Sequence, residues 1–182
     1  MNVYDFDKTI YDGDSSIDFF LYSLRKNKKI FLNIFSILYS FFLYKLKIIT
    51  KEKFKTTFFS FVKRIDAIKY AEEFWKENKK KIKLFYLSQH QKTDIIISAS
   101  PSFFLEPIAK ELDFNLIATE MNPKTGEIIG KNCYGEEKVK RLKSKGINKY
   151  EKFYSDSLSD TPCSKLAKEA YLVKKEKIIK WP

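Results

Sequence analysis

Four aspartates lie in two short clusters near opposite ends of the chain. Asp5 and Asp7 belong to Tyr4-Asp5-Phe6-Asp7-Lys8-Thr9, and Asp156 and Asp160 to Phe153-Tyr154-Ser155-Asp156-Ser157-Leu158-Ser159-Asp160. In an extended chain Asp5 and Asp7 project to the same side. If the two clusters are neighbours, four like charges converge and raise one another's pKa unless a cation neutralises them. A donor set made of oxygens alone favours a hard ion, Mg²⁺. Ser98-Ala99-Ser100-Pro101 follows an Ile-rich run and leads into a helical stretch, so it offers hydroxyls and backbone N–H groups to an anion. Gly135-Glu136-Glu137-Lys138 opens another helix, from which Lys138 can reach a phosphoryl oxygen as a point charge. A nucleophile, an acid/base, a metal, a hydroxyl and a lysine together make a site for phosphoryl transfer.

These residues need strand ends to hold them. Asn2–Phe6 is short and apolar, and Asp94–Ser98 is a continuous β-branched run of the kind found in buried parallel strands. Phe114–Thr119, Lys152–Ser155 and Ala170–Val173 read as weaker strands. Helical stretches at Ser102–Leu112, Glu136–Lys145 and Pro162–Lys168 separate them. Asn122-Pro123-Lys124-Thr125-Gly126-Glu127 is a turn signal inside an expected hairpin. Alternation of strand and helix predicts a doubly wound α/β core with a parallel sheet, in which active sites lie outside the carboxyl ends of the strands.

Between the first two strands the texture changes. Phe19 to Tyr86 holds 18 of the 30 aromatic residues and has no Gly or Pro. It reads as helices over Ser16–Leu24, Ile30–Ile48, Lys51–Lys63 and Asp66–Leu87, with Thr50 and Asp66 as N-caps. The segment is too long for one crossover. The expected organisation is therefore an inserted all-helical domain, residues 14–92, on a core made of residues 1–13 and 93–182.

Asp5-Phe6-Asp7-Lys8-Thr9, Ser98, Lys138 and Asp156-Ser157-Leu158-Ser159-Asp160 resemble, in order, the four motifs of the haloacid dehalogenase superfamily. The helical block sits where that superfamily inserts a C1-type cap. Ile97-Ser98-Ala99-Ser100-Pro101 through Lys138 is most similar to the subfamily of phosphoserine phosphatases. The resemblance implies a Mg²⁺-dependent phosphomonoester hydrolase with a Rossmann-like core. Asp5 would be the nucleophile that becomes an aspartyl-phosphate, and Asp7 the acid and then base. Mg²⁺ would be held by the Asp5 carboxylate, the Asp7 carbonyl and Asp156, with Asp160 in support. Ser98, Ala99 and Lys138 would bind the phosphate, and Thr9 would brace the loop. A phosphomutase would share the same intermediate.

Departures from the pattern bear on the substrate. Lys8 replaces a common glycine, Ala99-Ser100 replaces Gly-Gly, and the nearest candidate for the glutamate that binds a substrate amine is the shorter Asp14. These changes point away from phosphoserine and leave the phosphatase chemistry intact.

The net charge of +12 is unevenly placed. Arg25 to Thr93 has 18 basic and 5 acidic residues, and the remainder has 17 and 18. Only three residues are arginines, so the excess does not read as a nucleic-acid surface. Within the basic segment Ile30–Tyr44 is uncharged and flanked by lysines. At ~1.5 Å per residue it spans roughly 22 Å, short of a ~30 Å hydrocarbon core. It reads either as a helix roofing the site or as a peripheral contact with an anionic membrane. The partner is accordingly a small phosphorylated metabolite or a lipid head group. A catalytically silent polyanion-binding module is the competing class.

No basic stretch followed by an apolar one opens the chain, so a cytoplasmic location is expected. A hydrolytic triad would rest on His90 alone, which is expected at the surface. Two cysteines exclude a disulfide framework and read as ordinary small residues.

Overall fold

In the computed structural model, which describes residues 1–182, the Ile95-Ile96-Ile97 run begins β2 (Ile95–Pro101). This strand pairs in parallel with β1 (Val3–Tyr4) and with β3 (Asn115–Thr119). On the other side of β1 lie β4 (Tyr150–Ser155) and β5 (Ala167–Lys174), also parallel. An antiparallel β6 (Lys177–Lys180) closes the edge, giving the order β3-β2-β1-β4-β5-β6. The direction of winding reverses at β1, as a doubly wound α/β sheet requires.

Alternation along the central strands divides the core in two. Val3, Ile95, Ile97 and Phe153 face one cluster, with Val139 and Leu142 of α7 (Glu136–Ser144). Tyr4, Ile96 and Tyr154 face the other, with Phe104 and Ile108 of α6 (Ser102–Leu112). Both faces are thus covered along β1 and the Ile95–Ile97 part of β2, which is why those stretches are apolar without interruption, while β4 keeps an exposed Glu151-Lys152 pair.

The segment between β1 and β2 is helical. It comprises α1 (Ser15–Lys26), α2 (Ile34–Lys45), α3 (Lys51–Phe58), α4 (Ala67–Asn78) and α5 (Leu84–Gln89). Asp14 caps α1, and Thr50 and Asp66 cap α3 and α4 through bonds from the Lys53 and Lys69 amides. Aromatic packing fuses α1 and α4 to the sheet layer: Phe19 stacks on Phe104 at 4.5 Å, and the Trp75 indole donates to the Phe104 carbonyl at 2.6 Å. No helix is long and apolar enough to cross a membrane.

Several elements differ from expectation. The Ile30–Ile48 helix is split: 3-10 turns cover Lys28–Asn33 before α2 begins. The expected Lys51–Lys63 helix tightens to 3-10 after Phe58. The expected Asp66–Leu87 helix breaks at Lys79–Lys83, because the Lys83 amide donates to the Ile10 carbonyl and its Nζ to the Lys8 and Lys175 carbonyls. The helix expected at Pro162–Lys168 is only α8 (Thr161–Ser164), and β5 starts at Ala167. The Asn122–Glu127 hairpin is a tight loop closed by a single bridge, Met121 to Ile128. Its Gly126, at φ +73°, lies so close to Phe59 that a Cβ would meet the Phe59 carbonyl oxygen. His90 is half-buried rather than at the surface, bonded to the Tyr86 hydroxyl at 3.0 Å.

Candidate active site

The carboxyl ends of β1, β2 and β4 meet at one cavity of about 630 Å³, whose lining includes Asp5, Asp7, Ser98, Ala99, Lys138, Asp156 and Asp160. All seven residues singled out from the sequence are therefore brought together. Neighbouring strands explain this: the Asp5 amide donates to the Tyr154 carbonyl at 2.8 Å, which sets the end of β1 beside the end of β4.

Lys138 organises the floor. Its Nζ donates to Asp5 Oδ1 at 2.6 Å and to Asp160 Oδ2 at 2.7 Å, with all three side chains buried. The two carboxylates hold the Lys138 ammonium in its charged form despite burial, whereas burial pushes Asp5 above the usual carboxylate range against the pull of Lys138. Gly135, at φ +56° and ψ −126°, lets the chain enter α7 so that Lys138 points inward. Ser155 also donates to Asp160 Oδ2, at 2.8 Å. Thr9 braces the two acidic loops, donating to Asp5 at 3.4 Å and accepting from the Asp156 amide at 2.9 Å.

Asp7 is set differently. β1 ends at Tyr4, and a turn in which the Phe6 carbonyl accepts the Thr9, Ile10 and Tyr11 amides carries Asp7 to the cavity. The shared side of Asp5 and Asp7 thus comes from this turn and not from strand pleating. The Asp7 carboxylate accepts from the Ser15 amide at 2.7 Å and from the Ser100 hydroxyl at 2.6 Å. Burial and the nearby Asp14 push it toward protonation. Lys8, at φ +59°, occupies the left-handed conformation that glycine tolerates best.

Ser98 to Ser100 form a bulge. Pairing of β2 with β3 is regular through Ile97 and resumes at Pro101 after a register shift. The strand therefore runs past Ser98 to the start of α6, and neither Ser98 nor Ser100 caps that helix. Ser98 is buried and accepts from the Ser100 amide. Asp160 likewise makes no cap to α8.

The four aspartates share a cavity but do not close on one point, since no group of three or more acidic, His or Cys side chains is set around a common metal position. Lys138 stands between Asp5 and Asp160. The donor set nevertheless fits a hard cation: Asp160 Oδ1 is buried without a hydrogen-bond partner, and every available ligand is oxygen.

Sequence reasoning missed Lys55. From α3 its Nζ donates to the Ala99 carbonyl and, at 2.8 Å, to Asn132 Oδ1, so the helical segment reaches the bulge directly. Burial drives Lys55 down to about 7. Lys51, one turn earlier, lies over the Tyr134 ring at 3.2 Å. The i,i+4 spacing of Lys51 and Lys55 was visible, but nothing distinguished it among the 32 lysines.

This is the site of an α/β enzyme of the doubly wound class, built at the carboxyl ends of the strands on both sides of the switch point. The haloacid dehalogenase-like hydrolase family model matches residues 3–165, and the chain belongs to that family. Among solved structures it is similar to a protein of unknown function from Bordetella pertussis Tohama I, with 20% identity, TM-score 0.67, and coverage of 93% of this chain and 87% of that one. A phosphoserine phosphohydrolase-like protein from Francisella tularensis aligns at 17% identity and TM-score 0.58, covering 96% and 89%. A phosphoserine phosphatase in apo form aligns at 16% identity and TM-score 0.53, covering 93% and 83%. No curated protein matches the chain.

Proposed function

We propose that the protein is a Mg²⁺-dependent phosphomonoester hydrolase working through an aspartyl-phosphate on Asp5, with residues 14–92 as its cap. The observation that carries this reading is the buried Asp5–Lys138–Asp160 arrangement beside Asp7 and the Ser98 bulge. Asp5 attacks phosphorus in line while the bond to the ester oxygen breaks, and Asp7 gives that oxygen a proton. Asp7 then takes a proton from water, whose oxygen displaces Asp5 and releases inorganic phosphate. The tendency of Asp7 to hold a proton, caused first by burial, suits the acid role.

Ser98, the Ala99 amide and Lys138 orient the transferred oxygens. The Asp5 carboxylate, the Asp7 carbonyl and Asp156 would hold Mg²⁺, with Asp160 in support. The bound ion neutralises charge between an anionic nucleophile and an anionic phosphoryl group. Lys55 adds a cation from the cap side, next to the Ala99 carbonyl.

The test is phosphate release from p-nitrophenyl phosphate and a panel of phosphorylated metabolites, with Mg²⁺ or with EDTA. Expected is Mg²⁺-dependent release of free phosphate. Absence of turnover across the panel, with salt-sensitive binding to polyanions, would assign the silent binding module instead. Transfer of phosphate to a second position of the substrate, without release, would assign a mutase.

A further inference from the structure

The cavity has two unlike halves. Its floor is the polar set described above. Much of its remaining wall is apolar, supplied by Ile17, Leu21, Leu38, Phe41, Phe54 and Phe58. At about 630 Å³ the space is large for a phosphoryl group alone and lies within the range of sites that enclose drug-sized ligands. A small polar ester would leave this wall against water.

The same wall continues outside. Ile17, Leu21, Leu38 and Phe41 line the cavity and are also solvent-exposed, Leu38 at 59%. Leu38 and Phe41 belong to α2, on whose outer face Phe35, Tyr39 and Phe42 are bare, Phe35 at 72%. α2 is apolar nearly all round, yet only Ile37 and Ser40 are buried. Exposed Lys28 and Lys29 precede the helix, and exposed Lys45 and Lys47 end it. A continuous aromatic face inside a lysine collar complements an anionic bilayer, with rings at the acyl boundary and ammonium groups among head groups.

Resting on the phosphohydrolase reading, we infer that the substrate is the phosphomonoester of a membrane amphiphile. Its apolar chain lies along the Leu38–Phe41 wall, and the outer face of α2 rests on the anionic bilayer that supplies it. The reaction consumes water, breaks the bond between phosphorus and the ester oxygen, and yields the alcohol and inorganic phosphate.

Chain length tests the cavity. With the full protein and Mg²⁺, kcat/KM for n-alkyl phosphates should rise from ethyl to octyl by about fourfold per methylene at first, the factor for burying one CH₂. Octyl phosphate should exceed ethyl phosphate and phosphoserine by at least about 100-fold. Phe41→Ser should cut the octyl-to-ethyl ratio about tenfold. A flat or falling series, with small esters hydrolysed well, overturns the inference and leaves the phosphohydrolase reading standing. If no ester is hydrolysed, that reading falls, and binding of octylphosphonate against ethylphosphonate to Asp5→Asn, followed by calorimetry, decides on the cavity. Tighter octyl binding by tenfold or more supports it, and equal affinities overturn it.

Flotation tests the face. The protein should rise with phosphatidylcholine vesicles containing phosphatidylglycerol at low salt and not with phosphatidylcholine alone. Phe35→Glu and Phe42→Glu should each abolish flotation. A wild-type protein that stays off the anionic vesicles overturns the membrane contact. So does a dimer in sedimentation that Phe35→Glu dissociates, which would mean a second copy covers α2.

Discussion

The floor and the roof of the cavity obey different rules. On the floor nearly every polar atom has a partner: Asp5, Asp160, Ser155 and Lys138 bond one another, and Asp7 is held by Ser15 and Ser100. The helical segment between β1 and β2, whose residues form the rest of the wall, is aromatic, and its two sides part company. Phe19, Phe74 and Trp75 of α1 and α4 are fully enclosed against Phe104, while Phe31, Phe35 and Phe42 on the other side stand in solvent. Both sides are aromatic, but α4 also carries Lys69, Glu72, Glu73, Lys76 and Glu77, whereas α2 has no charge before Lys45. The sheet layer lies beneath the first and not the second, so a run of aromatics reports apolar surface without saying what covers it. In the proposed function, the bonded floor carries the chemistry and the bare outer face of α2 meets the partner.

The largest test of this division strikes the floor. Asp5→Asn should lower turnover of every ester by at least about 10⁴-fold while the octyl-to-ethyl ratio of any residual activity stays put. A change in that ratio would mean that floor and roof are not separable.

Stability comes next and divides the roof itself. Phe74→Ala should destabilise by about 3–5 kcal/mol, the range for deleting an enclosed phenyl ring. Phe35→Ala should change stability by less than about 0.5 kcal/mol. Urea unfolding of both variants measures the contrast, and equal losses would show that α2 packs as tightly as α4.

Lys55 joins the two regions, and its effect is intermediate. Burial holds it near 7, so it is charged below that pH and neutral above it. KM for a dianionic ester should therefore rise as pH climbs through about 7. Lys55→Gln should raise KM about tenfold at pH 6 and flatten that dependence, with kcat less affected. An unchanged pH profile would remove Lys55 from phosphate binding.

The smallest effect concerns the hinge of the first acidic loop. Lys8→Gly, relieving a left-handed φ, should stabilise by about 0.5–1 kcal/mol in urea unfolding. Destabilisation would show that the lysine side chain holds the loop.

Much of this was legible in the sequence, and the reason differs by region. The central strands announce themselves because both faces are buried, so Ile95-Ile96-Ile97 carries no polar interruption. The acidic motifs were legible because residue type and order survive without knowing the fold. β6 was not, since Lys177-Ile178-Ile179-Lys180 is an exposed edge with no buried face to impose alternation. The break after Asn78 was hidden because helix formers continue through it, and only the reach of Lys83 to carbonyls far along the chain interrupts them. Lys55 was illegible for the same reason. Its role depends on how α3 docks over Ala99, which no local pattern encodes.

The most direct measurement of the central claim is covalent. Brief incubation of the full chain with a phosphorus-labelled phosphomonoester and Mg²⁺, followed by acid quench and peptide mapping, should place label on the peptide holding Asp5. Asp5→Asn should carry none. Turnover by the wild-type chain with no label on that peptide, or turnover that survives Asp5→Asn, would contradict an aspartyl-phosphate at Asp5.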